Sequence, residues 1–307
     1  MKFPLNITLC FLFLIFKLNA QNYTEINISI NENINGTIVK PANESKSNLI
    51  ILIGGSGPTD RNGNQSFAKC DVLKKLAHSF SDYGISSFRY DKRIVTQIRN
   101  GNIDKNIMFD DFVNDAKSII DFFKKKYKNI VLVGHSQGSL VGLLSINSDV
   151  SGFISLAGVG QPIDKVLEYQ ISKSAPSLLK ETKETLKIMK NGNTTENYPI
   201  SLSSIFNIDI QPFMINWMKY NPSDIISKIS IPSLIINGDK DLQVNIEEAE
   251  LLHKSAKNSE LLIVKNMNHV LVEIDGDDLD NAKSYNNPKL GLSKIALNKI
   301  IDFILNL

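Results

Sequence analysis

The chain has 307 residues, 42% of them hydrophobic and 21% charged. That make-up suits one large globular core and excludes a disordered or fibrous chain. Its 34 basic residues nearly balance 32 acidic ones, for a formal net charge of +2, which leaves no electrostatic footprint for a nucleic-acid partner.

The first twenty residues read as a secretory signal. Lys2 supplies the positive end, Leu9 to Phe16 the apolar centre, and Leu18-Asn19-Ala20 a cleavage site before Gln21. The apolar stretch is short for a bilayer span. Cys10 lacks the preceding small residues of a lipoprotein signal. The expectation is a secreted or periplasmic chain, residues 21–307, with no stable membrane insertion. Removing the signal takes Lys2 and Lys17 and no acid, leaving 32 basic and 32 acidic residues. Cys70 is then the remaining thiol, so an internal disulfide is excluded; it is expected to pack on a helix. Asn22, Asn27, Asn35, Asn43 and Asn193 match the N-glycosylation sequon, a match that an Asn-rich chain also produces by chance.

Ile26, Ile28 and Ile30 alternate with polar residues and predict a half-buried strand. Asn35-Gly36 predicts a hairpin turn, followed by a strand at Thr37 to Val39. Leu49 to Ile53, Ile85 to Tyr90, Ile130 to Val133, Phe153 to Leu156, Ser233 to Ile236 and Leu261 to Val264 are apolar runs of strand length. Continuous runs imply burial on both faces and a mostly parallel sheet. Helices are expected at Phe67 to Phe80, Met108 to Tyr127, Gln137 to Ile146, Ile246 to Lys254 and Leu292 to Leu305. Phe109, Phe112, Val113, Ala116, Ile119, Ile120 and Phe123 form one apolar face of the second. The alternation predicts a doubly wound α/β fold. Residues 161–222 interrupt it with helical and large apolar segments and read as an inserted lid.

Gly134-His135-Ser136-Gln137-Gly138 carries G-x-S-x-G between an apolar strand and a small-residue helix. This is the sequence of a nucleophile elbow, a turn that holds a serine hydroxyl clear of the sheet. A serine needs a base, and the base an orienting acid. Of the four histidines, His135 belongs to the elbow, with its ring expected to point away, while His78 and His253 fall within expected helices. His269 follows the last strand in a short loop at the edge where sites gather, and is the expected base. Asp239 and Asp241 follow strand Ser233 to Ile236. Asp241 is the expected acid and Asp239 the expected turn former. Two backbone donors are needed for the oxyanion. Gln137, at the start of the elbow helix, offers one. The Gly54-Gly55-Ser56-Gly57 loop offers the other, from Ser56 first and Gly57 second.

With these residues in hand, the chain from about 45 to 307 resembles the α/β-hydrolases, whose triads run in the order Ser, Asp, His found here. Gly55-Ser56-Gly57-Pro58-Thr59-Asp60-Arg61-Asn62-Gly63-Asn64, Arg89-Tyr90-Asp91-Lys92-Arg93 and Leu156-Ala157-Gly158 resemble segments of secreted bacterial esterases related to serine aminopeptidase-like hydrolases. The resemblance implies cleavage of small-molecule carboxylic esters without a cofactor or metal. Relatives usually carry glycines after the Arg93 position. Ile94-Val95-Thr96-Gln97 stands here instead, so that loop is expected to differ. Asp60, Arg61, Asp91 and Arg93 are expected to form a structural charge network, because a neutral acyl substrate needs no ion clamp.

The leading reading is a secreted serine esterase with Phe206, Phe213, Met214 and Trp217 of the lid forming an acyl pocket. A peptidase or amidase on the same triad is the alternative, with Asp164, Glu168 or Asp209 available to hold a free amino terminus. A non-catalytic binding protein on the same fold is disfavoured by the intact triad residues. Dehalogenase or epoxide chemistry would want Asp where Ser136 stands.

Overall fold

Strands whose side chains alternate between two apolar layers need helices on both faces, and the computed structural model builds that arrangement. It describes residues 22–44 and 47–307; the signal read at residues 1–20 lies outside the described residues. Among the described residues eight strands form one sheet: β1 (Tyr23–Ser29), β2 (Asn35–Pro41), β3 (Asn48–Ile53), β4 (Ser86–Tyr90), β5 (Asn129–His135), β6 (Val150–Leu156), β7 (Ser233–Gly238) and β8 (Ser259–Val264). Their order is β1-β2-β4-β3-β5-β6-β7-β8. The pairs β1–β2 and β2–β4 are antiparallel, and the pairings among β3 to β8 are parallel.

Period-two alternation splits each central strand between two cores. Ile50, Leu52, Val131, Val133, Leu234 and Ile236 face helices Val72–Ser81 and Lys294–Leu305, which bring Leu76, Phe80, Ile300 and Ile304. Leu49, Ile51, Ile53, Leu132 and Ile235 face helices Phe109–Phe123, Gln137–Ser145 and Ile246–Ser255, which bring Phe109, Ile120, Phe123, Leu140 and Leu252. The strand order reverses between β3 and β5, so the loops leaving those two strands diverge and open a crevice at their carboxyl ends. Ser136 stands there, opposite the Gly54–Gly57 loop.

Several expected elements shift. Asn35-Gly36 lies inside β2, paired with Ser29 and Ile28, and the turn is instead Asn31–Ile34, closed by Ile30 N–H to Ile34 O at 2.9 Å. Close approach explains that glycine: a Cβ at Gly36 would sit 2.3 Å from the Phe88 ring. β1 is mostly exposed rather than half-buried, since it is the sheet edge. The helix expected from Phe67 begins at Val72, because the Asn64 side chain donates to Asp71 Oδ1 and accepts the Asp71 N–H, holding Asp71 at φ 55°. Cys70 is therefore buried ahead of the helix, its Sγ 3.4 Å from Gly63 O. Two helices, Arg93–Asn100 and Asp278–Ser284, were not expected. Residues between β6 and β7 fold into short helices, from Ile163–Ser174 to Pro222–Ile226. Among the described residues no helix is long and apolar enough to cross a membrane.

Candidate active site

β5 ends at His135, and the next residue leaves the sheet at a backbone conformation that side chains rarely adopt: Ser136 has φ 55° and ψ −123°. Its own N–H continues the ladder to Leu156 O at 2.9 Å, so the strain is held by sheet pairing. The turn is tight enough to forbid neighbouring side chains. A Cβ on Gly134 would meet Gly138 O at 2.3 Å, and one on Gly138 would meet Ile53 O at 2.3 Å. Both obstacles are backbone and cannot rotate away. Gly138→Ala is expected to destabilise the fold by about 3 kcal/mol and to lower activity, checked by denaturant unfolding of the purified variant. An unchanged unfolding midpoint would contradict this reading of the elbow.

His269 sits in the loop after β8. Its Nδ1 donates to Asp241 Oδ2 at 2.7 Å, and both side chains are almost fully buried. The other carboxylate oxygen, Oδ1, accepts the Gln243 and Val244 amides at 2.7 and 2.9 Å, so Asp241 has one orientation and aims Oδ2 at the ring. With Nδ1 donating, Nε2 is left as the basic nitrogen. Asp239 does something else: its Oδ1 accepts the Asn266 amide at 2.6 Å and ties the loop after β7 to the loop that carries His269.

His135 does not point away from this group. Its Nε2 donates to the His269 carbonyl at 2.7 Å, and the two rings lie 4.8 Å apart. The residue before Ser136 thus holds the backbone of His269 against the elbow. No hydrogen bond joins the Ser136 hydroxyl to His269 in this structure; such contacts often close only around a bound substrate.

Burial, with the neighbouring His269 second, pushes His135 down to about 4. The unfolded chain binds a proton at this ring below its ordinary value of about 6.5, whereas the folded chain does not until about pH 4. Stability is therefore complete above about pH 6.5 and is lost as pH falls through that window, by at most about 3 kcal/mol. Thermal unfolding at a series of pH values is expected to show this acid-side loss, and His135→Asn to flatten it.

Ser136 opens into a cavity of about 620 Å³. Ser56, Gly57, Lys92 and Gln137 border it near the serine, while Ile163, Val166, Leu167, Phe213, Met214 and Trp217 from the helices after β6 line its apolar side. Phe206, expected in this pocket, is instead completely buried in the core. Gln137 begins its helix, so its backbone N–H has no acceptor one turn back. Among the described residues neither that amide nor the Ser56 amide donates to a protein acceptor. The Ser56 carbonyl is pinned by Thr59 Oγ1 and Gln65 Nε2, each at 2.8 Å.

No family model matches the chain. Esterase EstD of Thermotoga maritima is 23% identical over 271 residues, covering 84% of this chain and 62% of its own, so the chain spans less than two thirds of that relative. Est1E from Butyrivibrio proteoclasticus superposes with a TM-score of 0.58 at 15% identity, over 92% of this chain and 98% of Est1E. The peroxisomal alpha-beta-hydrolase Lpx1 of Saccharomyces cerevisiae gives 0.52 at 15% identity, over 93% and 89%. The chain has the α/β-hydrolase fold.

On the α/β-hydrolase framework the charged residues of the loops after β3 and β4 divide into two groups. Arg61 and Arg99 both reach Asp91 Oδ2 at 2.6 Å, and Arg93 binds Asp115 at 2.7 Å and Asp111 at 3.1 Å. Asp60 accepts the Asn62 and Asn64 amides at 2.8 and 2.9 Å and shapes its own turn. None of Asp60, Arg61, Asp91 and Arg93 borders the cavity. Lys92 does, and sequence reasoning passed over it. Its ammonium is buried, donates to Gly55 O at 3.0 Å and Gln137 Oε1 at 2.6 Å, and lies 4.1 Å from the Phe112 ring centre. Burial pushes it down to about 7. The one available signal was its place at the carboxyl end of a parallel strand, where α/β sheets build sites.

Proposed function

We propose that the protein is a serine ester hydrolase whose catalytic residues are Ser136, His269 and Asp241. The observation that carries this is the oriented His269–Asp241 pair, its backbone bonded to His135, the residue before a strained serine that borders an apolar cavity. The name of EstD, an esterase, agrees with it. His269 Nε2 takes the Ser136 proton as Oγ attacks the acyl carbon. The tetrahedral oxyanion is held by the Gln137 and Ser56 amides, whose hydrogens are otherwise unused. His269 then gives the proton to the leaving alcohol, and water repeats the sequence on the acyl-enzyme. The helices between β6 and β7 act as the lid, and its apolar wall selects the organic part of the ester. The signal pattern at residues 1–20 supports secretion.

A fluorophosphonate probe applied to the purified protein, followed by peptide mapping, tests the assignment. Label on the peptide containing Ser136 is expected; label elsewhere, or none, would reject it.

One observation favours the peptidase alternative. Asp164 is tied to Lys190 at 2.9 Å and Glu168 to Lys165 at 3.0 Å, but Asp209 is exposed at the cavity wall, where it could meet a substrate ammonium. A panel of p-nitrophenyl esters and aminoacyl nitroanilides separates the two. The ester reading expects kcat/KM on short esters to exceed that on the anilides by at least about 100-fold, roughly 2.7 kcal/mol in barrier.

A further inference from the structure

Lys92 combines burial with polar contacts in a way that packing does not explain. Its ammonium is shut away from solvent, and among the described residues no carboxylate pairs with it. Taking an unpaired ammonium out of water costs several kcal/mol, and an apolar side chain of similar length would rest against Phe112 without that penalty. Its two hydrogen-bond partners indicate what the charge does.

One partner is the Gly55 carbonyl. That oxygen belongs to the same peptide unit as the Ser56 N–H. The unit is planar and trans, so its C=O and N–H point in opposite directions. Drawing the Gly55 oxygen toward Lys92 therefore aims the Ser56 hydrogen the other way. The second partner is the side-chain oxygen of Gln137, the residue whose backbone N–H is the other proposed donor. A single ammonium thus links the loop after β3 to the first residue of the elbow helix. The loop already lies close: a Cβ on Gly55 would be 3.3 Å from Ser136 Cβ.

We infer that Lys92 is the positioning residue of the oxyanion hole, its ammonium clamping the Gly55–Ser56 peptide to the Gln137 side chain so that both backbone amides converge on one point. This rests on the ester hydrolase reading above. Lys92 acts through the amides and touches no reacting atom.

The test is Lys92→Met, assayed with a short p-nitrophenyl ester and with a trifluoromethyl ketone that forms a tetrahedral adduct on Ser136. Losing the aim of one oxyanion donor is expected to lower kcat about 100-fold, with KM changed less than about threefold. Ketone affinity is expected to fall by the same factor as kcat, because both report the tetrahedral state. A residue that merely lines the pocket would raise KM and leave kcat; that result, or unchanged kcat, overturns the inference. Gln137→Leu keeps the backbone amide and removes the side-chain acceptor, so it serves if Lys92→Met fails to fold. It is expected to lower kcat about tenfold at constant KM, and where Lys92→Met folds, the double variant is expected to be no worse than Lys92→Met alone. Unchanged kcat in Gln137→Leu, or fully additive losses, also overturns the inference. Wild-type protein that neither hydrolyses esters nor takes fluorophosphonate at Ser136 removes the hydrolase reading and this inference together. Wild-type protein that does both, beside an equally active Lys92→Met, removes the inference alone.

Discussion

Ser136→Ala is expected to lower ester turnover by about a million-fold while the melting temperature stays within a few degrees of wild type. The two halves of this expectation have separate causes. Removing Oγ removes the atom that would bond to the acyl carbon, and no adjacent group replaces it. The fold is spared because the strain at φ 55° belongs to the backbone, held by the bond to Leu156 O, and alanine meets the same Cβ constraint as serine. The measurement is a p-nitrophenyl ester assay beside circular-dichroism melting. Substantial turnover in a folded Ser136→Ala protein would end the serine mechanism.

Asp241→Asn is expected to cost about 10⁴-fold in kcat, against less than about tenfold for Asp239→Asn. Asp241 Oδ1 accepts two backbone amides, so an asparagine would place its oxygen there and turn its NH₂ toward His269. An NH₂ group cannot accept from Nδ1–H. The ring would shift its proton to Nε2 and lose the basic nitrogen that the proposed mechanism uses to take the serine proton. Asparagine at 239 still presents an oxygen to the Asn266 amide, so the loop contact survives. Paired kcat measurements on the two variants decide it. A larger loss at 239 would reassign the acid.

The same residues mark how far the chain could be read without coordinates. β3, β5, β6 and β7 stood out as short apolar runs because each is buried on both faces, and burial writes itself into local composition. The elbow was legible because its two glycines flank the serine within five residues and Gly134 meets Gly138 across that turn, although the bar to a side chain at Gly138 comes from Ile53 on β3. His269 and Asp241 could be nominated from their places after strand ends once the elbow was read and the other three histidines were set aside. The Asn35-Gly36 turn was misplaced because its glycine answers to Phe88, a contact from another strand that no hairpin rule contains. The start of helix Val72–Ser81 was misjudged for a similar reason, the Asn64–Asp71 pair overriding helical propensity.

Fold class, the strained serine and the chain order of the three catalytic candidates all rest on local rules: side-chain period, turn sterics and strand-end placement. A reader of the bare chain could reach them. The work of His135 and Lys92 could not be reached that way. His135 meets His269 across 134 positions, and Lys92 meets Gly55 and Gln137 across 37 and 45. Such contacts arise when the sheet sets distant strand ends side by side and excludes water between them. A histidine or a lysine in the chain carries no mark of the partner that burial will leave it.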